Sequence, residues 1–136
     1  MNAAPANPLQ ALADQLRVED TPIAPHVVDP AEPSQLGELA GGGEYALVIE
    51  AVREGYLLHY EEPRLLAGHD PDLALLAGDY LYALGLDRLA ALEDTRAVAI
   101  LSDLISDCAR LQAEGETAPI ENLWRSAAEE VASSSG

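Results

Sequence analysis

Residues 70–93 read DPDLALLAGDYLYALGLDRLAALE, and the reading of this stretch decides the fold. Asp70 followed by Pro71 opens a helix, because the carboxylate can accept from the free N–H groups of the first turn, where proline has no donor to lose. Leu73, Leu76, Ala77, Tyr80 and Leu84 then recur at helical spacing, Arg88 joins them by its aliphatic stem, and Leu75, Tyr82 and Leu86 widen the stripe. A helix apolar on more than one side is expected to lie between several others. Gly78 and Asp79 stand in its middle. Glycine there permits close helix approach at a propensity cost of about 1 kcal/mol. An ionised Asp79 on such a stripe must be paired, and it is expected to be a buried polar group meeting Arg53, Arg88 or a tyrosine hydroxyl.

Helical patterning continues on both sides. Tyr45, Val48, Ile49, Val52, Tyr56 and His59 predict a helix from Glu44 to about Tyr60, ended by Glu61-Glu62-Pro63, with Glu50, Arg53 and Glu54 on its wet face. Asp94 caps a third helix whose core stripe is Val98, Leu101, Leu104, Ile105, Cys108 and Leu111, and Gly115 ends it. Pro119 opens a fourth with Ile120, Leu123, Trp124, Ala127 and Val131 inward. Upstream, Asn7 and Pro8 start a short helix with Leu9, Leu12, Ala13 and Leu16 on one side, too short to stand undocked. Prolines at 22, 25, 30 and 33 make the next segment an extended tether whose Ile23, Val27 and Val28 need a groove in this domain or in another subunit. Gly41-Gly42-Gly43 is a hinge and not a phosphate loop, since neither a preceding strand nor a Lys-Ser/Thr pair accompanies it. The expected architecture is all-α: an antiparallel helical bundle of about four packed helices with a Pro-rich N-terminal arm. Its divisions are residues 1–43 for the arm, 44–132 for the bundle and 133–136 for a frayed tail.

Composition limits the function. Twenty-four acids against seven arginines and no lysine give a net charge of −17, a field that repels nucleic acid and anionic lipid and suits a basic protein surface. Cys108 is alone, so neither a disulfide nor a cysteine metal cluster can form within the chain, and a reducing cytoplasm is the expected compartment. No run reaches the length of a membrane span, and no leader pattern opens the sequence. Lysine-free, Ala- and Leu-rich composition suggests a GC-rich bacterial genome.

Leu76-Ala77-Gly78-Asp79-Tyr80-Leu81 resembles the L-A-G-D-Y-L helix of the all-α trans-prenyl (polyprenyl and heptaprenyl) diphosphate synthases. The similarity runs from about Tyr45 to Glu116, where Glu114-Gly115-Glu116 matches an E-G-E ending. The resemblance implies helices that wall an isoprenoid cavity, with Leu81, Tyr82 and Leu86 as its lining. It also implies two D-D-x-x-D segments that bind magnesium. Where the first should stand, this chain has His59-Tyr60-Glu61-Glu62-Pro63-Arg64, with an arginine in place of the spaced carboxylate, and the second falls beyond the chain's end. The family role that remains is a truncated, non-catalytic small subunit that pairs with a catalytic synthase and shapes its product cavity.

No catalytic residue, cofactor site or metal ligand is therefore expected. His59, His69, Asp70 and Asp72 could be imagined around a metal, but Asp70 and Asp72 stand where a capping and a dipole-stabilising acid belong. Cys108 has no basic neighbour in sequence and reads as core. An alternative in another class is an acidic helical adaptor in a larger, membrane-associated complex, fastened by its arm and its charge. A third is a stand-alone carrier of an apolar ligand.

Overall fold

The computed structural model describes residues 7–68 and 70–135, and these form six helices with no strand among the described residues. They are α1 (Pro8–Val18), α2 (Leu36–Leu39), α3 (Gly43–Tyr60), α4 (Pro71–Ala91), α5 (Thr95–Glu114) and α6 (Ile120–Ser135). Their ends follow local chemistry. The side chains of Asn7, Asp70 and Asp94 accept from Leu9, Leu73 and Ala97 N–H at 2.9, 2.7 and 2.9 Å, and Gly115 closes α5 in the left-handed region at φ 73°. Gly41, Gly42 and Gly43 all take positive φ, which lets the chain reverse from α2 into α3. α6 continues through Ser135, past the point where the sequence suggests fraying.

α3 and α4 form the tightest pair and run antiparallel. A Cβ on Gly85 would lie 2.6 Å from Val52, one on Gly55 would lie 2.8 Å from Tyr82 and 2.9 Å from the Gly78 oxygen, and one on Gly78 would strike the His59 ring. Three glycines thus let two backbones approach where any side chain would hold them apart.

α3 sits between two cores. One gathers Val48, Ile49, Val52, Tyr56 and Leu57 of α3 with Leu89 of α4, the inner face of α5, and Ile120, Trp124, Ala127 and Val131 of α6. The other gathers Leu9, Leu12, Ala13 and Leu16 of α1 with Ile23, Ala51, Leu58, Leu65, Leu66, Ala77 and Leu81. The proline-rich segment does not reach outward. Ile23 is buried, Val28 N–H donates to the Leu65 oxygen at 2.7 Å, Ala67 N–H donates to the His26 oxygen at 2.9 Å, and Val27 forms an isolated bridge with Leu66. It packs in cis because the loop after α3 offers it a short antiparallel edge.

Two predicted faces are corrected. Glu50, Arg53 and Glu54, expected on the wet face of α3, are buried or mostly buried, since α2 and the loop after α3 cross that face. Leu75 and Leu76, expected inward, are 58% and 57% exposed, because α4 is covered by neighbours on its other sides only. No helix of the described residues is long and apolar enough to cross a membrane.

Candidate functional site

The chemistry of this fold concentrates where α3, the 61–66 loop, α2 and the start of α6 meet. Glu50 and Glu54 are one helical turn apart on α3 and both are 0% exposed. Two like charges at that spacing repel unless a cation lies between them. Arg64 supplies it. Its Nη1 donates to Glu50 Oε1 and its Nε to Glu54 Oε1, each at 2.9 Å, and its Nη2 reaches the Glu50 carbonyl oxygen at 3.4 Å. The remaining carboxylate oxygens accept backbone donors: Gly37 N–H to Glu50 Oε2 at 3.2 Å, and Arg64 and Leu65 N–H to Glu54 Oε2 at 2.7 and 2.9 Å. Every carboxylate oxygen is thus partnered, which is the condition for burying such charges. Held by these donors, the pair acts as a clamp that ties α2 and the loop to α3.

Arg53 lies on the adjoining face. Its Nη2 donates to Glu121 Oε2 of α6 at 2.7 Å, and its guanidinium lies 5.1 Å from the centre of the Trp124 ring system and 5.4 Å from that of Tyr56. Its Nη1 is buried with no partner. The Trp124 indole nitrogen is likewise buried without an oxygen partner, and the Cys108 sulfur, a weak acceptor, is its neighbour. Burial pushes the Cys108 thiol up to about 11, so it is an inert core group. Tyr56 donates to Glu61 Oε2 at 2.9 Å and accepts from Gln112 Nε2 at 2.8 Å, and burial raises its phenol to about 12.

Of these residues, Arg53, Arg64, Glu121 and Trp124 border a groove of about 710 Å³. Its walls are the 31–36 segment with Leu39, the Leu57–Arg64 side of α3 and its loop, and Glu121 to Arg125 of α6. Three of the chain's seven arginines, Arg53, Arg64 and Arg125, line it beside Glu32 and Glu121. Arg64 is matched there by Glu50 and Glu54, and Arg53 by Glu121. Arg125 has no ion pair among the described residues.

The residues singled out from sequence lie elsewhere and are not brought together. Leu81 is fully buried in the core of α1, α3 and α4, whereas Tyr82 and Leu86 pack on the other core, so side chains fill the space where an isoprenoid cavity was expected. None of the three borders the groove. Gly78 is buried at the α3–α4 contact. Asp79 is not a buried polar group: it is 68% exposed, and its partner is His59 Nε2 at 3.2 Å, with neither Arg53 nor Arg88 near it. Gly78 and the stripe beside it face α3, and Asp79, one position on, is carried to the outer side of α4. Arg88 turns instead to Glu44 and Gln15, at 2.9 and 2.8 Å.

His59 Nε2 also lies 3.2 Å from the Leu75 carbonyl oxygen, and Asp70 caps α4, so neither is disposed toward the other. His69 lies outside the described residues, as does Gly136. Among the described residues no group of three or more His, Cys, Asp or Glu is placed to hold a metal ion. Sequence reading missed the groove and its clamp. The available signal was the pair of glutamates one turn apart, with an arginine just after the Pro63 helix stop. No protein-family model, no curated protein and no solved structure matches the chain.

Proposed function

We propose that this chain is a non-catalytic helical subunit that acts by binding a partner protein over the outer face of α4. The observation that carries the reading is the adjacent, exposed pair Leu75 and Leu76, joined by Tyr60 at 41% exposure. His59 ties them into one neighbourhood, since it contacts the Leu75 carbonyl oxygen and packs its ring on Tyr60 and Tyr82. Single exposed leucines are ordinary, but two on one turn beside an aromatic form an apolar patch of the kind that partners cover. Exposed Asp72 and Asp79 flank it, so a partner with an apolar knob and a basic margin fits best.

In this reading α3 to α6 are the antiparallel bundle, and the partner is a catalytic prenyl diphosphate synthase that carries the aspartate-rich segments absent here. Leu81 is buried in one core and Tyr82 and Leu86, partly buried, pack against the other, so any influence on an isoprenoid product would act through the partner's shape and not through a cavity between these residues. The net charge of −17 favours a second reading, an acidic adaptor in an assembly without prenyl chemistry. The test is to mix the purified chain with the prenyl synthase of the same genome, follow the complex by light scattering at low and high salt, and measure product chain length. The subunit reading expects a complex, a changed product length, and loss of both in the Leu75→Glu/Leu76→Glu variant. A complex-free mixture with unchanged products refutes the prenyl role. Assembly with another protein through the same two leucines selects the adaptor.

A further inference from the structure

On the reading that the outer face of α4 binds a protein, we propose that its occupant there is a basic amphipathic helix of the partner, with arginine or lysine recurring every two turns. Helical periodicity puts Asp72, Asp79, Ala83, Asp87 and Ala90 on one side of α4, with Leu75 and Leu76 at its edges, and each of them is exposed. The opposite side, with Ala74, Ala77, Leu81 and Gly85, is buried against the rest of the chain. The exposed strip runs about 27 Å along the axis.

Charge decides the class of occupant. The strip holds three aspartates and no cation. Asp79 has His59 at 3.2 Å, and neither Asp72 nor Asp87 has an ion pair among the described residues. A second copy of the chain would set these aspartates against their own kind, on molecules that each carry a net charge of −17. Nucleic acid and anionic lipid meet the same repulsion. A basic protein segment is the occupant whose field is complementary.

Shape decides that the segment is helical. The backbone of α4 spends its donors and acceptors within its own turns, so it offers no edge for an extended strand to pair with. Ala83 and Ala90 are small, and interaxial distance is set by the side chains at the contact, so a neighbouring helix can lie close there. Asp72, Asp79 and Asp87 stand seven and eight residues apart, about 10 and 12 Å along the axis. A helix packed at about 20° to α4 stays beside it over that length and meets each aspartate once every two of its own turns. An apolar side chain of the same helix fills the space by Leu75, Leu76 and Tyr60.

The experiment titrates the full chain into a fluorescently labelled Ala-Leu helical peptide with arginine at every seventh position, read by anisotropy at low salt. Its comparisons are an isomer with the same arginines spread around the helix and a peptide with glutamate in their place. Expected are saturable binding of the first peptide, weakening by salt, and weaker binding of both comparisons. Asp72→Asn/Asp87→Asn is expected to raise the dissociation constant about tenfold, the loss of two surface charge pairs. Asp103→Asn/Glu130→Gln removes the same charge from α5 and α6 and should leave it nearly unchanged. Ala83→Arg stands four residues from both Asp79 and Asp87, so it pairs with them in cis, keeps the helix stable and should abolish peptide binding. Equal binding of the isomer, no saturable binding, or equal effects of the two charge-removing variants would overturn the basic-helix occupant. The partner-binding reading survives any of these results if Leu75→Glu/Leu76→Glu still dissolves the complex with the synthase or another protein, and it fails by itself if that complex is indifferent to the leucines.

Discussion

Arg64→Met tests whether the glutamate pair is held in place by the guanidinium that lies between them. Methionine keeps an apolar stem and removes the charge, which strands Glu50 and Glu54 at 0% exposure with no cation. Breaking a buried ion pair from one side costs about 3–5 kcal/mol. Here Arg64 is itself 24% exposed, and three backbone donors from Gly37, Arg64 and Leu65 stay on the carboxylates, so the low end, about 3 kcal/mol, is expected. For a chain of this size that lowers the melting temperature by roughly 10 °C, and it removes a large share of the about 5–15 kcal/mol that usual domains have. The assay is urea unfolding followed by circular dichroism on wild type, Arg64→Met, Glu54→Gln and the double variant. Glu54→Gln keeps an acceptor for Leu65 N–H and drops one charge, so the double-mutant cycle isolates the ion pair, with a coupling of at least about 1 kcal/mol expected. A loss below about 1 kcal/mol for Arg64→Met, the usual worth of an exposed pair, would refute the reasoning.

Gly55→Ala is expected to destabilise by about 1–3 kcal/mol although alanine is the better helix former, because the new methyl would lie 2.8 Å from Tyr82 and 2.9 Å from the Gly78 oxygen. A stabilised variant in thermal denaturation would show that α3 and α4 are not in close contact there. Asp70→Ala removes the cap on Leu73 N–H and should cost about 1 kcal/mol, while leaving calorimetric magnesium titrations as flat as those of the parent chain. Magnesium binding abolished by that change would restore a metal role to the start of α4. High pH gives a fourth test. Burial holds the Tyr56 phenol up at about 12, and burial together with the Glu19 carboxylate holds Tyr80 there too, against about 10 in an unfolded chain. The folded state keeps protons that the unfolded state releases, so this contribution is whole below about pH 10 and is lost as pH rises toward about 12. Urea midpoints measured across that window should fall, and a level profile would contradict the burial of these hydroxyls.

Much of the helical framework was legible because its signals are local. Asn7-Pro8, Asp70-Pro71, Asp94 and Gly115 each act on backbone groups within one turn, so their effect does not depend on the rest of the chain. The stripes of α5 and α6 were equally readable, since each helix meets its neighbours on one side. α3 defeated that logic. It is the helix placed between two cores, and a wet face inferred from Glu50, Arg53 and Glu54 assumes water where α2 and the 61–66 loop in fact lie.

By itself the sequence determined five capped and periodic helical stretches, an all-helical body and a strong negative charge, because propensity, caps and ionisation belong to residues and their nearest neighbours. Only the tertiary structure decided which charges are buried and which apolar residues are not. Glu50 and Glu54 go inside because Arg64 and the backbone of Gly37 and Leu65 reach them from segments 10 to 14 residues away along the chain. Asp79 goes outside, and Leu75 and Leu76 stay exposed, because α3 and α5 pack on other sides of α4 and the α1 leucines share a core with its Ala77 and Leu81. The cost of burying a charge is set by the partners that surround it, and those partners exist only once the chain has folded.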